Sequence, residues 1–127
     1  MNKPNPQDRR EHPRLLKNIP LKISGTDFDI VSETKNLSRS GAYCRVSKYL
    51  EPMTKLKIHL LLPFKQNNKI ITKKVSCDGI VVRTESIVGE EAYNVAIYFS
   101  DIQKRGSDTI AEFVNTLLSD GGHAAAG

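Results

Sequence analysis

Two short polar stretches hold the residues that could do chemistry. Near the start, Arg9-Arg10-Glu11-His12-Pro13-Arg14 sets two guanidinium groups four residues apart, and Asn36-Leu37-Ser38-Arg39-Ser40-Gly41 gathers an amide, hydroxyls and a glycine in one connection. A guanidinium is a planar fork that grips phosphate through two hydrogen bonds, reads guanine O6 and N7 together, and stacks on an aromatic base. Asn36 and Ser38 supply donors and acceptors for a base edge, and Gly41 lets backbone N–H groups come close to a bulky ligand. A ligand carrying guanines and phosphates would engage all of these groups. Each stretch also has a plainer reading, the first as a solvated basic terminus and the second as a hairpin turn, since turns select Asn, Ser and Gly.

The elements that must position them follow from pattern. Residues 1–14 contain Pro4, Pro6 and Pro13 among polar and charged residues, a composition that resists both helix and ladder pairing. Pro13 disfavours the helical region for His12, so an extended course is expected, with the Arg10 and Arg14 Cα atoms up to ~14 Å apart. With no apolar anchor before Leu15, these residues form a flexible arm that folds over a ligand. From Ile19 the apolar residues recur with period two: Leu21 and Ile23, Phe28 and Ile30, then Ala42, Cys44 and Val46. Leu56, Ile58, Leu60 and Leu62 share one face, opposite Lys57 and His59, in a strand that Pro63 is expected to stop. Residues 70–77, 79–84 and 93–99 continue the series, with breaks expected near Gln66-Asn67-Asn68, Asp78-Gly79 and Val88-Gly89. Many short strands with close turns predict a small antiparallel barrel or sandwich.

The period then switches. Ile110, Phe113, Val114, Leu117 and Leu118 line one helix face, with Ser107 as N-cap, Asp108 in the positive first turn and Gly121 as terminator. The stripe closes one end of the barrel or serves a dimer surface. The expected organisation is an arm over residues 1–14, one domain over 15–120 and a disordered tail over 121–127.

The 127 residues suit a single domain with a substantial core. The net charge of +5 is concentrated in the first 24 residues, which carry six Lys or Arg against Asp8 and Glu11. Such a local excess points to an anionic partner such as nucleic acid, nucleotide or acidic membrane. Catalytic signals are absent. His12, His59 and His123 are isolated, no zinc spacing occurs, and the glycines form neither a Walker loop nor a dinucleotide fingerprint. Glu90-Glu91 read as loop charges. Cys44 and Cys77 form no disulfide framework, so a reducing cytoplasm is the simplest setting. Asn36-Leu37-Ser38 matches a glycosylation acceptor, but no secretory signal or membrane span accompanies it.

Taken together in order, Arg10-x-x-x-Arg14 and Asn36-x-Ser38-x-x-Gly41 resemble the paired signature of PilZ domains, which bind the bacterial second messenger cyclic di-GMP. Gly79-Ile80-Val81-Val82-Arg83 and residues 93–99 are similar to that family's later strands. The resemblance implies a mainly β fold, a six-stranded antiparallel barrel with a C-terminal helix. It also implies a stand-alone cyclic di-GMP receptor or adaptor that relays its signal through contacts with an effector protein or another copy of itself. Arg10 and Arg14 would take phosphates and guanine Hoogsteen edges, Asn36 and Ser38 would hold a guanine, and Gly41 would permit close approach. Arg9, before the motif, is associated in the family with a stacked pair of ligands, and Arg83 would add a further contact. Asn36 stands where the family also uses Asp, and an amide offers one acceptor oxygen where a carboxylate offers two. No metal or other cofactor is implied. Two alternatives are a PilZ-like interaction module without ligand and a basic barrel that binds single-stranded nucleic acid. For the latter, Phe28, Tyr43, Phe64 and Tyr98 form no obvious stacking cluster.

Overall fold

The computed structural model describes residues 12–120. Arg9, Arg10, the rest of residues 1–11, the proposed helix terminator Gly121 and the tail lie outside them. The described chain runs β1 (Pro20–Ser24), β2 (Asp29–Ser38), β3 (Gly41–Val46), β4 (Lys55–Gln66), β5 (Lys69–Ser86), β6 (Tyr93–Asp101) and α1 (Lys104–Ser119). All pairings between these strands are antiparallel. They close into a barrel in the order β1-β2-β3-β6-β5-β4, with β1 paired to both β2 and β4. Most of the period-two residues point inward as expected, whereas Phe28, just before β2, and Ile30 are only partly buried against the core. Leu21, Ile23, Ala42, Cys44, Val46, Leu56, Ile58, Leu60, Leu62, Val95, Ile97 and Phe99 are buried in one core.

Two expected breaks are not breaks. Pro63 does not stop β4; it pairs with Thr72, and the strand continues to Gln66. The ladder between β1 and β4 ends at Leu60, so beyond that point one flank of β4 has no strand neighbour. A proline is tolerated at such an edge because its missing N–H is not needed there. Asp78-Gly79 is not a turn but a register shift inside one 18-residue strand, so the two segments expected there are both parts of β5. The glycine is required by crowding. A Cβ at Gly79 would lie 2.9 Å from Ile97 Cγ2 and 3.1 Å from Ile58 Cγ1. At the β4–β5 tip the expected turn is present: Asn67 and Asn68 take φ of 50° and 64°, the left-handed pair that a tight two-residue hairpin demands.

Helix α1 starts three residues before the expected Ser107 cap, with Gln103 at the N-cap and no side-chain capping bond. Its stripe belongs to the core. Ile110, Phe113 and Val114 are buried, Leu117 and Leu118 pack partly against the core, and Phe113 meets Phe64 edge to face at 5.4 Å between ring centroids. Gly106 lets the helix approach β5 closely, since a Cβ there would sit 3.1 Å from Val75 Cγ1.

Residues 15–19 lie along the part of β2 that β1 leaves uncovered. Leu15 and Leu37 exchange backbone bonds of 2.8 and 3.0 Å, and Thr34 N–H donates to the Ile19 carbonyl at 2.9 Å. The buried Thr34 hydroxyl accepts from Ile19 N–H and donates to the Lys17 carbonyl. Both its polar roles are thus satisfied, and Leu15 and Ile19 enter the core on either side.

Two predictions follow from this packing. Phe113→Ala should destabilise the barrel by about 3–5 kcal/mol, read from urea unfolding, because it empties a buried aromatic site. Burial pushes the Cys44 and Cys77 thiols up to about 12, with Asp78 and Asp101 adding to the shift at Cys77. Both should therefore resist a thiol-disulfide reagent at about pH 8 in the folded protein and react promptly in denaturant.

Candidate functional site

The segment that zips onto β2 places Arg14, just before it, over the C-terminal end of that strand. Arg14 Nε donates to Asn36 Oδ1 at 2.7 Å, and Arg14 Nη1 donates to Ser38 Oγ at 3.1 Å. These contacts join residues 22 and 24 positions apart. Ser38 is fully buried, and its oxygen also accepts from the Ser40 backbone N–H at 3.1 Å and shares a hydrogen bond with Ser40 Oγ at 2.9 Å. Asn36 follows a register irregularity between Thr34 and Asn36. Its amide oxygen is spent on Arg14, while its NH2 makes no bond within the described residues, so that group can donate to a ligand acceptor. These two neutral acceptors help to fix the orientation of the Arg14 guanidinium.

Arg39 and Ser40 form the two-residue turn that joins β2 to β3, and Ser38 pairs with Gly41 across it. Arg39 reaches away from the cluster to α1, donating from Nε to Ser107 Oγ at 3.2 Å and from Nη2 to Asp108 Oδ1 at 3.3 Å. Asp108 also accepts from Lys104 Nζ at 2.8 Å, and this bond, with the positive charges of Lys104 and Arg39, holds its carboxyl below the usual range. Among the described residues no group of three or more His, Cys, Asp or Glu could hold a metal ion.

A family model described as the PilZ domain matches residues 8–116. The chain belongs to the PilZ domain family. Solved structures agree on the PilZ fold. The inhibitor of motility (MotI/DgrA) of Bacillus subtilis aligns with a TM-score of 0.75 at 15% identity, covering 92% of this chain and 56% of that one. This chain thus spans little more than half the length of that protein. The PilZ domain of YcgR from Escherichia coli, solved with c-di-GMP, gives a TM-score of 0.60 at 11% identity, covering 89% of this chain and 94% of the other. The PilZ domain of CeSA from a cellulose-synthesizing bacterium gives 0.53 at 17% identity, with 83% and 97% covered. No curated protein sequence matches the chain.

On this PilZ barrel, Arg14, Asn36 and Ser38 converge, whereas Arg9 and Arg10 lie outside the described residues. Gly41 opens β3 opposite Tyr98, and the fold itself demands its lack of a side chain: a Cβ would sit 2.3 Å from the Ile97 carbonyl oxygen. Arg83 is not in the cluster. By register it lies three strands away from Asn36, in the row Asn36, Tyr43, Ala96 and Arg83, where it pairs with Glu85 at 3.3 Å. Tyr43, next to Asn36 in that row, donates to Glu85 Oε1 at 2.9 Å. Burial, and then the Glu85 carboxylate, push its phenol above the ordinary value. The Arg83 guanidinium lies 6.0 Å from the Tyr43 ring centroid. The sequence pattern placed Tyr43 on the face opposite Cys44, but only the β2–β3 register puts it beside Asn36. No sequence signal marked Arg39, whose partners lie 68 and 69 residues further on.

Gly41→Ala should lower stability by about 1–3 kcal/mol in thermal unfolding even without ligand, because β6 must shift to admit the methyl group. An unchanged melting temperature would mean that β3 and β6 separate freely at this point.

Proposed function

We propose that this PilZ domain is a receptor for cyclic di-GMP, holding it between the arginine-bearing segment and the β2–β3 turn. The observation that carries this reading is the pair of hydrogen bonds from Arg14 to Asn36 and Ser38. They join the two halves of the sequence signature in space and set the guanidinium plane before any ligand arrives. A group already held in its binding orientation loses less freedom on association. Support also comes from the family match, whose residues 8–116 include Arg9 and Arg10, and from the YcgR PilZ domain, solved with c-di-GMP.

In this mechanism Arg14 and Arg10 grip phosphate and the guanine O6 and N7 edge, the Asn36 amide and the Ser38 turn line the base, and Arg9 favours a stacked pair of ligands over a single molecule. The protein binds rather than transforms its ligand. It works in the cytoplasm as an adaptor, and the occupied surface is read by an effector protein or a second copy of the chain.

Calorimetric titration with cyclic di-GMP is the direct test. Each charge-assisted hydrogen bond is worth about 1.5–3 kcal/mol, so Arg14→Ala and Arg10→Ala should each weaken binding at least about tenfold. Unchanged affinity in both variants would sink the assignment. The wild type should titrate near two ligands per chain and Arg9→Ala near one; a stoichiometry of one in both removes the stacked pair.

A further inference from the structure

The β4–β5 hairpin extends past the barrel as a two-stranded ribbon. Beyond Leu60, β4 loses its partner β1, and β5 meets β6 only from Asp78 onward, so residues 61–66 and 69–74 pair only with each other. One side of the ribbon is closed, with Leu62 and Phe64, and Val75 at its base, buried in the core that α1 completes. The outer side is open and carries Leu61, Pro63, Lys65, Ile70, Thr72 and Lys74. Ile70 is 71% exposed and Leu61 42% exposed, and on the inner side of the tip Ile71 is 43% exposed, beyond the reach of the core.

The charge on this ribbon has one sign. Residues 52–77 contain six lysines and no Asp or Glu. Among the described residues, Lys65, Lys69, Lys73 and Lys74 have no carboxylate partner, in contrast to Lys22, Lys57 and Lys104.

We propose that this ribbon is a docking surface for an anionic lipid bilayer, on which the protein lies without spanning it. Exposed aliphatic side chains interleaved with lysines are what a peripheral surface needs. The aliphatics enter the interface, and the ammonium groups stay at headgroup level on flexible stems. A lysine is a compact point charge suited to the diffuse negative potential of such a leaflet. Nucleic acid fits less well, because the ribbon has neither the arginine forks that grip phosphate nor an exposed aromatic ring for stacking, its Phe64 being buried. A second copy of the chain fits less well again, since two such faces would set unpaired lysines against each other. A flat protein partner would leave one side of the tip uncovered, because Ile70 and Ile71 project to opposite sides.

Sedimentation of the full chain with vesicles tests this, using phosphatidylcholine with about 30% phosphatidylglycerol against phosphatidylcholine alone. The protein should partition onto the anionic vesicles only, and less so as salt rises from about 0.1 M to about 0.5 M. The double variant Lys69→Glu/Lys74→Glu should lower partitioning at least about tenfold, and Ile70→Ser several-fold, with melting temperatures unchanged because these side chains are exposed. Lys48→Glu, outside the ribbon, should change it less than about twofold. Absence of binding to anionic vesicles overturns the proposal. So does an equal loss with Lys48→Glu, which would reduce the effect to net charge. Binding of a single-stranded oligonucleotide through Lys69 and Lys74, with no vesicle binding, would assign the ribbon to nucleic acid instead.

Discussion

The site depends on the zipper between residues 15–19 and the second half of β2. Two backbone bonds between Leu15 and Leu37, and the buried Thr34 hydroxyl between Ile19 and Lys17, fix the course of the chain before the first strand begins. A buried hydroxyl with both roles satisfied contributes registry as well as modest stability. Because side chains alternate along an extended chain, a shift of one residue in this zipper would turn Arg14 away from Asn36 and Ser38. The chemistry of the cluster is set by main-chain register, and the apolar anchors Leu15 and Ile19 hold that register in the core.

Much of the barrel was legible in the sequence because its walls are one layer thick: the inward face is apolar and the outward face is wet, so burial writes itself as period two. The helix was legible for the same reason at its own period. Pro63 and Asp78-Gly79 misled because the same residues punctuate turns and mark edges or bulges, and only the neighbouring strand decides which. Ser107 had the chemistry of a cap, yet its hydroxyl faces Arg39 across the molecule. Of the site, the nearness of Arg14 to Asn36 and Ser38 was expected through the resemblance of the paired motifs to a known signature, but their direct hydrogen bonds were not. The row through Tyr43 to Arg83 was not, because it is created by strand order around the ring.

Two regions of different character touch the same helix. The β2–β3 turn reaches α1 through Arg39, at Ser107 and Asp108, and the lysine-bearing ribbon reaches it through Phe64, at Phe113. The first contact is polar and partly exposed to solvent, so salt screens its charge component. The second is an aromatic contact inside the core and is insensitive to salt. The helix is thus fastened firmly to the ribbon and loosely to the turn.

Closure of the ring has a thermodynamic corollary. The turn that bears Ser38 is completed by β6, which lies against Gly41 through Tyr98 and the Ile97 carbonyl, and β6 in turn is held by β5. The surface formed by Arg14, Asn36 and Ser38 therefore exists only once the last strand is in place. Any molecule held there binds the folded chain and not the unfolded one. At a free concentration one hundred times its dissociation constant, it would shift the folding equilibrium of the whole barrel by about 2.7 kcal/mol.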